Sequence, residues 1–189
     1  MTEQLPFRVL TVCTGNICRS PVAERLLAGG LGQSVQVSSA GTAALIGEPV
    51  DVQMAALAAD VGVEVTAFAA QQVNERLLRA ADLVLAMTRD HRAQLVSLAP
   101  ATVRRSYTLR EFARIIGRID LSGVPIAMSP GERLRAITPL AASMRPLVRP
   151  AADETDDVPD PYGREPAVYE QAMGMIREAT ASIIRVARG

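Results

Sequence analysis

Phe7-Arg8-Val9-Leu10-Thr11-Val12-Cys13-Thr14-Gly15-Asn16-Ile17-Cys18-Arg19-Ser20-Pro21 is the stretch from which the rest of the chain can be ordered. Its first six residues are short, β-branched-rich and bounded by turn residues, which predicts a buried strand over 7–12. A polar turn follows, and an apolar segment over 22–31 continues as a helix. Ser20 suits the N-cap and Pro21 the first helical position, where the missing proline N–H costs nothing. A loop closing on a helix N-terminus aims several backbone N–H groups at one spot, which suits an oxyanion. Cys13 at its mouth adds a nucleophile, and Arg19 at its end adds a planar two-pronged clamp. The stretch therefore predicts a phosphate-handling active site.

Outward from it, 189 residues give one domain over 1–189, large enough for a proper core. A hydrophobic share of 49% with 21% charged residues belongs to a globular protein and excludes disordered or fibrous classes. Twenty basic residues, all arginine, balance twenty acidic ones, so no global field favours nucleic acid or an anionic membrane. The first five residues lack the basic and apolar regions of a signal peptide, and no apolar run approaches the ~20 residues of a membrane span. Only two cysteines occur, Cys13 and Cys18, both inside the opening loop, where a polar turn needs no buried apolar filler. A disulfide scaffold would use more of them, farther apart, so a cytoplasmic location is expected.

Strand, helix and strand over 7–41, with the helix stopped at the glycines of 29–32, make a right-handed parallel βαβ unit. A loop of small residues spans 42–49, and helices are predicted over 50–61 and 71–81. The continuous apolar run over 82–87 is a strand buried on both faces. A helix over 89–98, a last strand over 103–109 and a helix over 110–116 complete the alternation. Proline and glycine punctuate 117–150, with a helix expected near 132–136, and an acidic mobile segment covers 151–159. A final helix spans 166–188, its Ala172, Ile176, Ala179, Ile183 and Ala187 forming an apolar stripe. This is an open α/β fold with a mainly parallel sheet, whose ligands sit beyond the carboxyl ends of the strands. The Cys13 loop lies at such an end.

Cys13 to Ser20 fits the pattern cysteine, five residues, arginine, serine. A helix N-terminus and a nearby arginine favour the thiolate, the reactive form. The intervening amides wrap phosphoryl oxygens while the guanidinium holds two of them in a fork. Gly15 lets the backbone approach closely, Asn16 tolerates a left-handed conformation, and the Ser20 hydroxyl can bond the thiolate.

The run from Cys13 to Glu24 resembles the signature of the low-molecular-weight protein tyrosine phosphatase family, of bacterial type. Ser38-Ser39-Ala40-Gly41-Thr42, Gly47-Glu48-Pro49, Asp82-Leu83-Val84-Leu85-Ala86-Met87 and Asp160-Pro161-Tyr162-Gly163 match that family in order, leaving an atypical elaboration over about 117–159. The resemblance implies a flavodoxin-like three-layer sandwich and phosphomonoester hydrolysis without metal or cofactor. It makes Cys13 the nucleophile, Arg19 the stabiliser of the equatorial oxygens and Asp160 the general acid. Thr14, Gly15, Asn16, Ile17, Cys18 and Ser20 would line the phosphate site, with Tyr162 and Leu45 as walls of the substrate slot. Asn16 and Ser39 resemble the polar network supporting the loop, and Cys18 the partner thiol that can trap an oxidised Cys13. The expected partner is a phosphorylated protein, phosphotyrosine preferred, with no nucleic acid and no membrane insertion, the enzyme acting as a monomer or weak dimer.

Two positions bear on specificity. The loop Ala43-Ala44-Leu45-Ile46 lacks the aromatic residue that family members acting on phosphotyrosine usually carry there. A related subgroup acting on phosphoarginine has threonine where this chain has Ile17, and an apolar residue there favours an aryl phosphate over a charged guanidinium. Protein-arginine phosphatase is the alternative, followed by arsenate reductase, which relays its disulfide through further cysteines, and by a non-catalytic phosphoprotein-binding module. Competing readings exist for single residues: Asp160 as an ordinary turn aspartate, Asp157 as a rival acid, Tyr162 and Tyr169 as core aromatics or phosphorylation sites, and His91 as a residue capping or packing on its helix. Arg104, Arg105, Arg110, Arg114 and Arg118 are expected on a solvated face.

Overall fold

The computed structural model describes residues 5–126, 128–151 and 155–189. Twelve elements follow one another: β1 (Phe7–Cys13), α1 (Arg19–Leu31), β2 (Val35–Gly41), α2 (Val52–Asp60), α3 (Glu75–Ala80), β3 (Leu83–Ala86), α4 (Arg89–Leu98), a 3-10 turn (Pro100–Arg105), β4 (Ser106–Thr108), α5 (Leu109–Ile116), α6 (Pro130–Met144) and α7 (Pro166–Arg188). All strand pairs are parallel, in the order β2-β1-β3-β4. The chain steps from β1 outward to β2, then returns across β1 to β3. Between β1 and β3 the connections diverge, and the crevice a parallel sheet offers to ligands opens there.

Period-two side chains divide β1 between two cores. Phe7, Val9 and Cys13 join Leu83 and Leu85 on one face, packed with Val22 and Leu27 of α1, Phe112 of α5 and Ile176 and Ile183 of α7. Leu10 and Val12 join Val84 and Ala86 on the other, under Leu78 of α3 and Leu95 of α4. Helix, sheet, helix is the three-layer α/β sandwich expected. Helix α1 runs through Gly29 and Gly30 and stops at Gly32, whose φ of 68° is a left-handed value. A Cβ on Gly30 would come within 2.3 Å of Ile184, so glycine is what lets α1 and α7 close on each other.

Four local expectations need correction. The predicted strand over 103–109 is cut to Ser106–Thr108, because the helical turn started at Pro100 runs to Arg105 and α5 begins at Leu109. The helix near 132–136 extends from Pro130 to Met144, started by a capping box between Ser129 and Glu132. It runs through Pro139, since Leu134, Ile137 and Ala141 are fully buried against the sheet side of the core and offset the ~3 kcal/mol an interior proline costs. Gly131 lets its start lie against Ser34, whose carbonyl oxygen would be 2.2 Å from a Cβ. The buried Arg133 donates to the carbonyls of Val124, Pro125 and Val186, tying α6 to the end of α7.

The third correction concerns the acidic segment. Asp153 and Glu154 lie outside the described residues, but Asp156 and Asp157 are not free in solvent. Arg114 forks onto Asp156, and Arg89 grips Asp157 through its backbone N–H at 2.7 Å and its guanidinium at 2.9 Å. The fourth follows from it: Arg110 and Arg114 face this segment instead of water, Arg110 donating to the Thr155 carbonyl. Opposite charges distant in sequence find each other only once α4 and α5 are placed. Tyr169 is a core aromatic at 2% exposure. Among the described residues, no helix is long and apolar enough to cross a membrane.

Candidate active site

Strand β1 ends at Cys13 and α1 begins at Arg19, so five residues must reverse the chain. Asn16 makes this possible with a φ of 56°, a conformation its short polar side chain tolerates. The carbonyls of Cys13, Thr14, Gly15 and Ile17 all point outward, accepting from the backbone N–H groups of Thr42, Ala43, Leu45 and Asp51 at 2.8–3.0 Å. In a trans peptide the N–H opposes the C=O. The amides of Thr14, Gly15, Asn16 and Cys18 therefore face inward, as an oxyanion cradle requires. Gly41 makes this backing possible, because a Cβ there would meet the Thr14 carbonyl oxygen at 2.3 Å.

Asn16 locks the loop from beneath. Its Nδ2 donates to Ser20 Oγ and Ser39 Oγ, both at 2.9 Å, and its Oδ1 accepts from the Gln71 backbone at 2.8 Å. Ser39 in turn donates to Glu24 at 2.6 Å. Burial raises the Glu24 carboxyl above its usual pKa, against the opposing effects of the Ser39 hydrogen bond and the Arg25 charge. Ser39 thus bridges Asn16 and Glu24. Ser20 does not act as the N-cap. Cys18 holds that position with no side-chain cap, and the Ser20 hydroxyl lies 3.0 Å from Cys13 Sγ instead. The uncapped first-turn amides are left for a ligand.

Arg19 is buried, yet its guanidinium reaches three groups: the Val158 carbonyl at 3.0 Å, Thr14 Oγ1 at 3.4 Å and the Asp160 carboxylate at 2.7 Å. Its Nε is buried without a hydrogen bond. A carboxylate on one prong and an empty second prong are what a planar cation shows when it is built to fork onto an oxyanion. Asp160 is half exposed, at the open rim. The cleft holds about 210 Å³ and is lined by Cys13, Thr14, Gly15, Ile17, Cys18, Arg19, Ala43, Leu45, Asp160 and Tyr162. Every expected lining residue except Asn16 and Ser20, which sit beneath the loop, is in this wall. Leu45 and Tyr162 are exposed on it, at 42% and 58%. Cys13 and Cys18 form no disulfide, and burial, reinforced by the charge of Asp51, pushes the Cys18 thiol up, keeping it protonated. Among the described residues, no cluster of His, Cys, Asp or Glu could hold a metal ion.

Four supporting contacts, from Arg89, Val158, Gln71 and His91, escaped the sequence reading. Arg89 clamps Asp157, and Val158 accepts from Arg19 while donating to the Met87 carbonyl, so the segment ahead of Asp160 is pinned to the end of β3. Burial works against the charge of Asp157, but the hydrogen bonds and charge of Arg89 outweigh it and hold the carboxyl below its usual range. Gln71 closes the Asn16 network. His91 sits in the first turn of α4, three residues after its N-cap Thr88, and reaches Thr14. A Thr-x-x-His spacing was the available signal. Nothing local pointed to Arg89 or Val158.

Proteins to which this chain is similar are named as phosphatases. A sequence profile described as "Low molecular weight phosphotyrosine protein phosphatase" matches residues 8–123. The chain is 32% identical over 178 residues to the low molecular weight protein-tyrosine-phosphatase Etp of Escherichia coli, covering 94% of this chain and 93% of that protein. Among solved structures, Vibrio vulnificus Wzb in complex with benzylphosphonate superposes with a TM-score of 0.68 at 27% identity, covering 95% of this chain and 97% of that one. The YwlE arginine phosphatase of Geobacillus stearothermophilus does so with a TM-score of 0.69 at 27% identity, covering 95% and 92%. A strand-loop-helix oxyanion cradle with a cysteine floor, on a parallel sheet of order 2-1-3-4 and with this similarity along nearly the whole chain, places the protein in the low molecular weight phosphotyrosine protein phosphatase family.

Proposed function

We propose that this protein is a protein-tyrosine phosphatase working through a phosphocysteine intermediate. The observation that carries this reading is Cys13 Sγ on the cleft floor, 3.0 Å from Ser20 Oγ, with Arg19 and Asp160 in the same wall. Phosphate binding displaces the Asp160 carboxylate from Arg19 and fills the open Nε prong. Released from Arg19, Asp160 takes up a proton from solvent; the Cys13 thiolate then attacks phosphorus in line, forming S–P as the P–O bond to the aryl group breaks, and Asp160 gives that proton to the departing phenolate. Arg19 and the inward amides stabilise the equatorial oxygens throughout. In the second step Asp160 takes a proton from water, whose oxygen attacks phosphorus and expels the thiolate, to which the Ser20 hydroxyl donates. Thr14, Gly15, Ile17 and Cys18 line the phosphate, Asn16 and Ser39 hold the loop, and Leu45 and Tyr162 flank the aryl ring.

The apolar Ile17 and the Leu45 and Tyr162 walls support an aryl phosphate, and the relative named as a tyrosine phosphatase along the whole chain supports the same class. A protein-arginine phosphatase is the second reading, favoured by the 36% identity over 108 residues to the protein-arginine-phosphatase of Geobacillus stearothermophilus. A cytoplasmic enzyme of a bacterium, acting as a monomer or weak dimer without cofactor, completes the proposal. The test is turnover of an aryl phosphate by wild type, Cys13→Ser and Asp160→Ala. We expect no turnover in the first variant and a kcat lowered on the order of a hundredfold in the second. Wild type no faster than Cys13→Ser overturns the reading. Peptides bearing phosphotyrosine, phosphoserine or phosphoarginine, compared side by side, decide the substrate, and phosphotyrosine is expected to be fastest.

A further inference from the structure

His91 is the protein's one histidine, and its ring spans two elements of the site. Nε2 lies 2.9 Å from Thr14 Oγ1 in the cradle, and Nδ1 lies 2.9 Å from Thr88 Oγ1 at the start of α4. The ring is 6% exposed. Charged groups face it from both sides: Arg19 from the cradle, Asp160 and Asp157 from the segment before α7, and Asp90 from its own helix. Burial, with the Arg19 charge, lowers its pKa to about 4 against the opposing carboxylates, so the imidazole is neutral at physiological pH and carries one N–H.

The two threonines accommodate either tautomer, and the one in which Thr88 donates to Nδ1 is the one that frees the Thr14 hydrogen. Thr88 Oγ1 already accepts from the His91 backbone N–H at 3.1 Å, so its own hydrogen is available to Nδ1. Nε2 then bears the ring hydrogen and donates to Thr14 Oγ1. That oxygen also faces Arg19 Nη2 at 3.4 Å, so both its lone pairs are turned to donors and its hydrogen is left to point into the cleft. The same Arg19 Nη2 holds the Asp160 carboxylate at 2.7 Å, which stands in for an oxyanion beside Thr14. In the opposite tautomer Thr14 would give its hydrogen to the ring and present lone pairs to the phosphoryl oxygens.

We propose that His91 is a positioning residue which, held by Thr88, turns the Thr14 hydroxyl into an extra hydrogen-bond donor to the phosphoryl group. The inference rests on the phosphatase reading for its role in turnover, but the donor itself needs only an oxyanion in the cradle. Hydrogen bonds to charged groups are the strong class, so a lost Thr14 donor is felt at both binding and turnover.

Because His91 is the only imidazole, its nitrogen resonances are assignable in the ¹⁵N-labelled wild type without any variant. The expected spectrum at pH 7 shows a protonated Nε2 and an unprotonated Nδ1, with the Nε2 resonance shifting when inorganic phosphate saturates the cleft. A protonated Nδ1, or no response to phosphate, overturns the inference whatever the kinetics show. On an aryl phosphate, Thr14→Val is expected to lower kcat/KM by roughly tenfold to a hundredfold and weaken inhibition by inorganic phosphate alike. His91→Phe should cost several-fold, and the double variant no more than Thr14→Val alone. Multiplicative losses in the double variant would mean that His91 acts independently of Thr14, and would sink the proposal. Cys13-dependent turnover with the wrong tautomer refutes this inference alone. Absent turnover in wild type refutes the phosphatase reading, and the phosphate titration still judges the donor.

Discussion

Ile17 shows how a single side chain in the cradle can bear on specificity. It is 6% exposed and its side chain forms part of the cleft wall beside Leu45 and Tyr162. A hydroxyl there would offer an acceptor to a guanidinium, whereas an isoleucine offers only apolar area. Ile17→Thr is therefore expected to raise the phosphoarginine-to-phosphotyrosine ratio of kcat/KM at least tenfold, measured with matched phosphopeptides, on the order of one charge-assisted hydrogen bond. Gly41 controls a different property. A Cβ forced to 2.3 Å from the Thr14 carbonyl must move the cradle, because the obstacle is backbone and cannot rotate away. Gly41→Ala should lower aryl phosphatase activity by two orders of magnitude or more while costing only about 1–3 kcal/mol of stability, compared by kinetics and urea denaturation.

At the scale of elements, helix packing determines how firmly α1 presents its N-terminus. α1 and α7 meet where Gly30 faces Ile184, with 2.3 Å between a Cβ at that position and Ile184 Cδ1. Gly30→Ala gains helix propensity of about 1 kcal/mol but inserts a methyl where there is no room. The expected net outcome is a lower thermal midpoint, by several degrees, with the opposite sign from an alanine placed at the open Gly29. Equal stabilisation by both alanines in thermal unfolding would contradict the close crossing. Residues 155–159 form no helix or strand, and ion pairs hold them in place. Asp157 on Arg89 and Asp156 on Arg114 fix their course, which no periodicity in 151–159 could have revealed.

For the whole molecule, buried groups set the pH range of stability. The unfolded chain takes up a proton at His91 below pH 6.5, while the folded protein refuses it until about pH 4. The unfolded state thus binds more protons in that window, and stability falls as pH drops through it, by at most about 3 kcal/mol. Cys18 acts at the other end. Its raised thiol stays protonated when folded, whereas the unfolded thiol ionises near its ordinary value of 9.0, so stability also declines as pH rises past that point. Denaturant midpoints measured across pH should show both limbs, with His91→Gln flattening the acid limb and Cys18→Ala the alkaline one. The elaboration shares this behaviour if 1–189 folds as one unit, as we propose. Leu134, Ile137 and Ala141 of α6 lie in the same cluster as Phe7 and Ile176, so one unfolding transition is expected, reported alike by fluorescence and circular dichroism.

Local chemistry is what the amino-acid sequence determined alone. The strand-turn-helix around Cys13 to Arg19, the parallel alternation and the apolar stripe of α7 follow from periodicity and turn residues, because each depends on neighbours a few positions apart, whereas Asp160 was joined to Cys13 and Arg19 by the family resemblance alone. The tertiary structure decided whatever depends on groups distant in the chain. It took the capping role from Ser20 and left it the thiol contact alone, carried α6 through Pro139 on the strength of buried contacts, and tied Asp157 to Arg89 and Asp156 to Arg114. It also brought His91 to Thr14 across 77 positions. Long-range hydrogen bonds and ion pairs form only after burial has placed their partners, so local patterns give no sign of them.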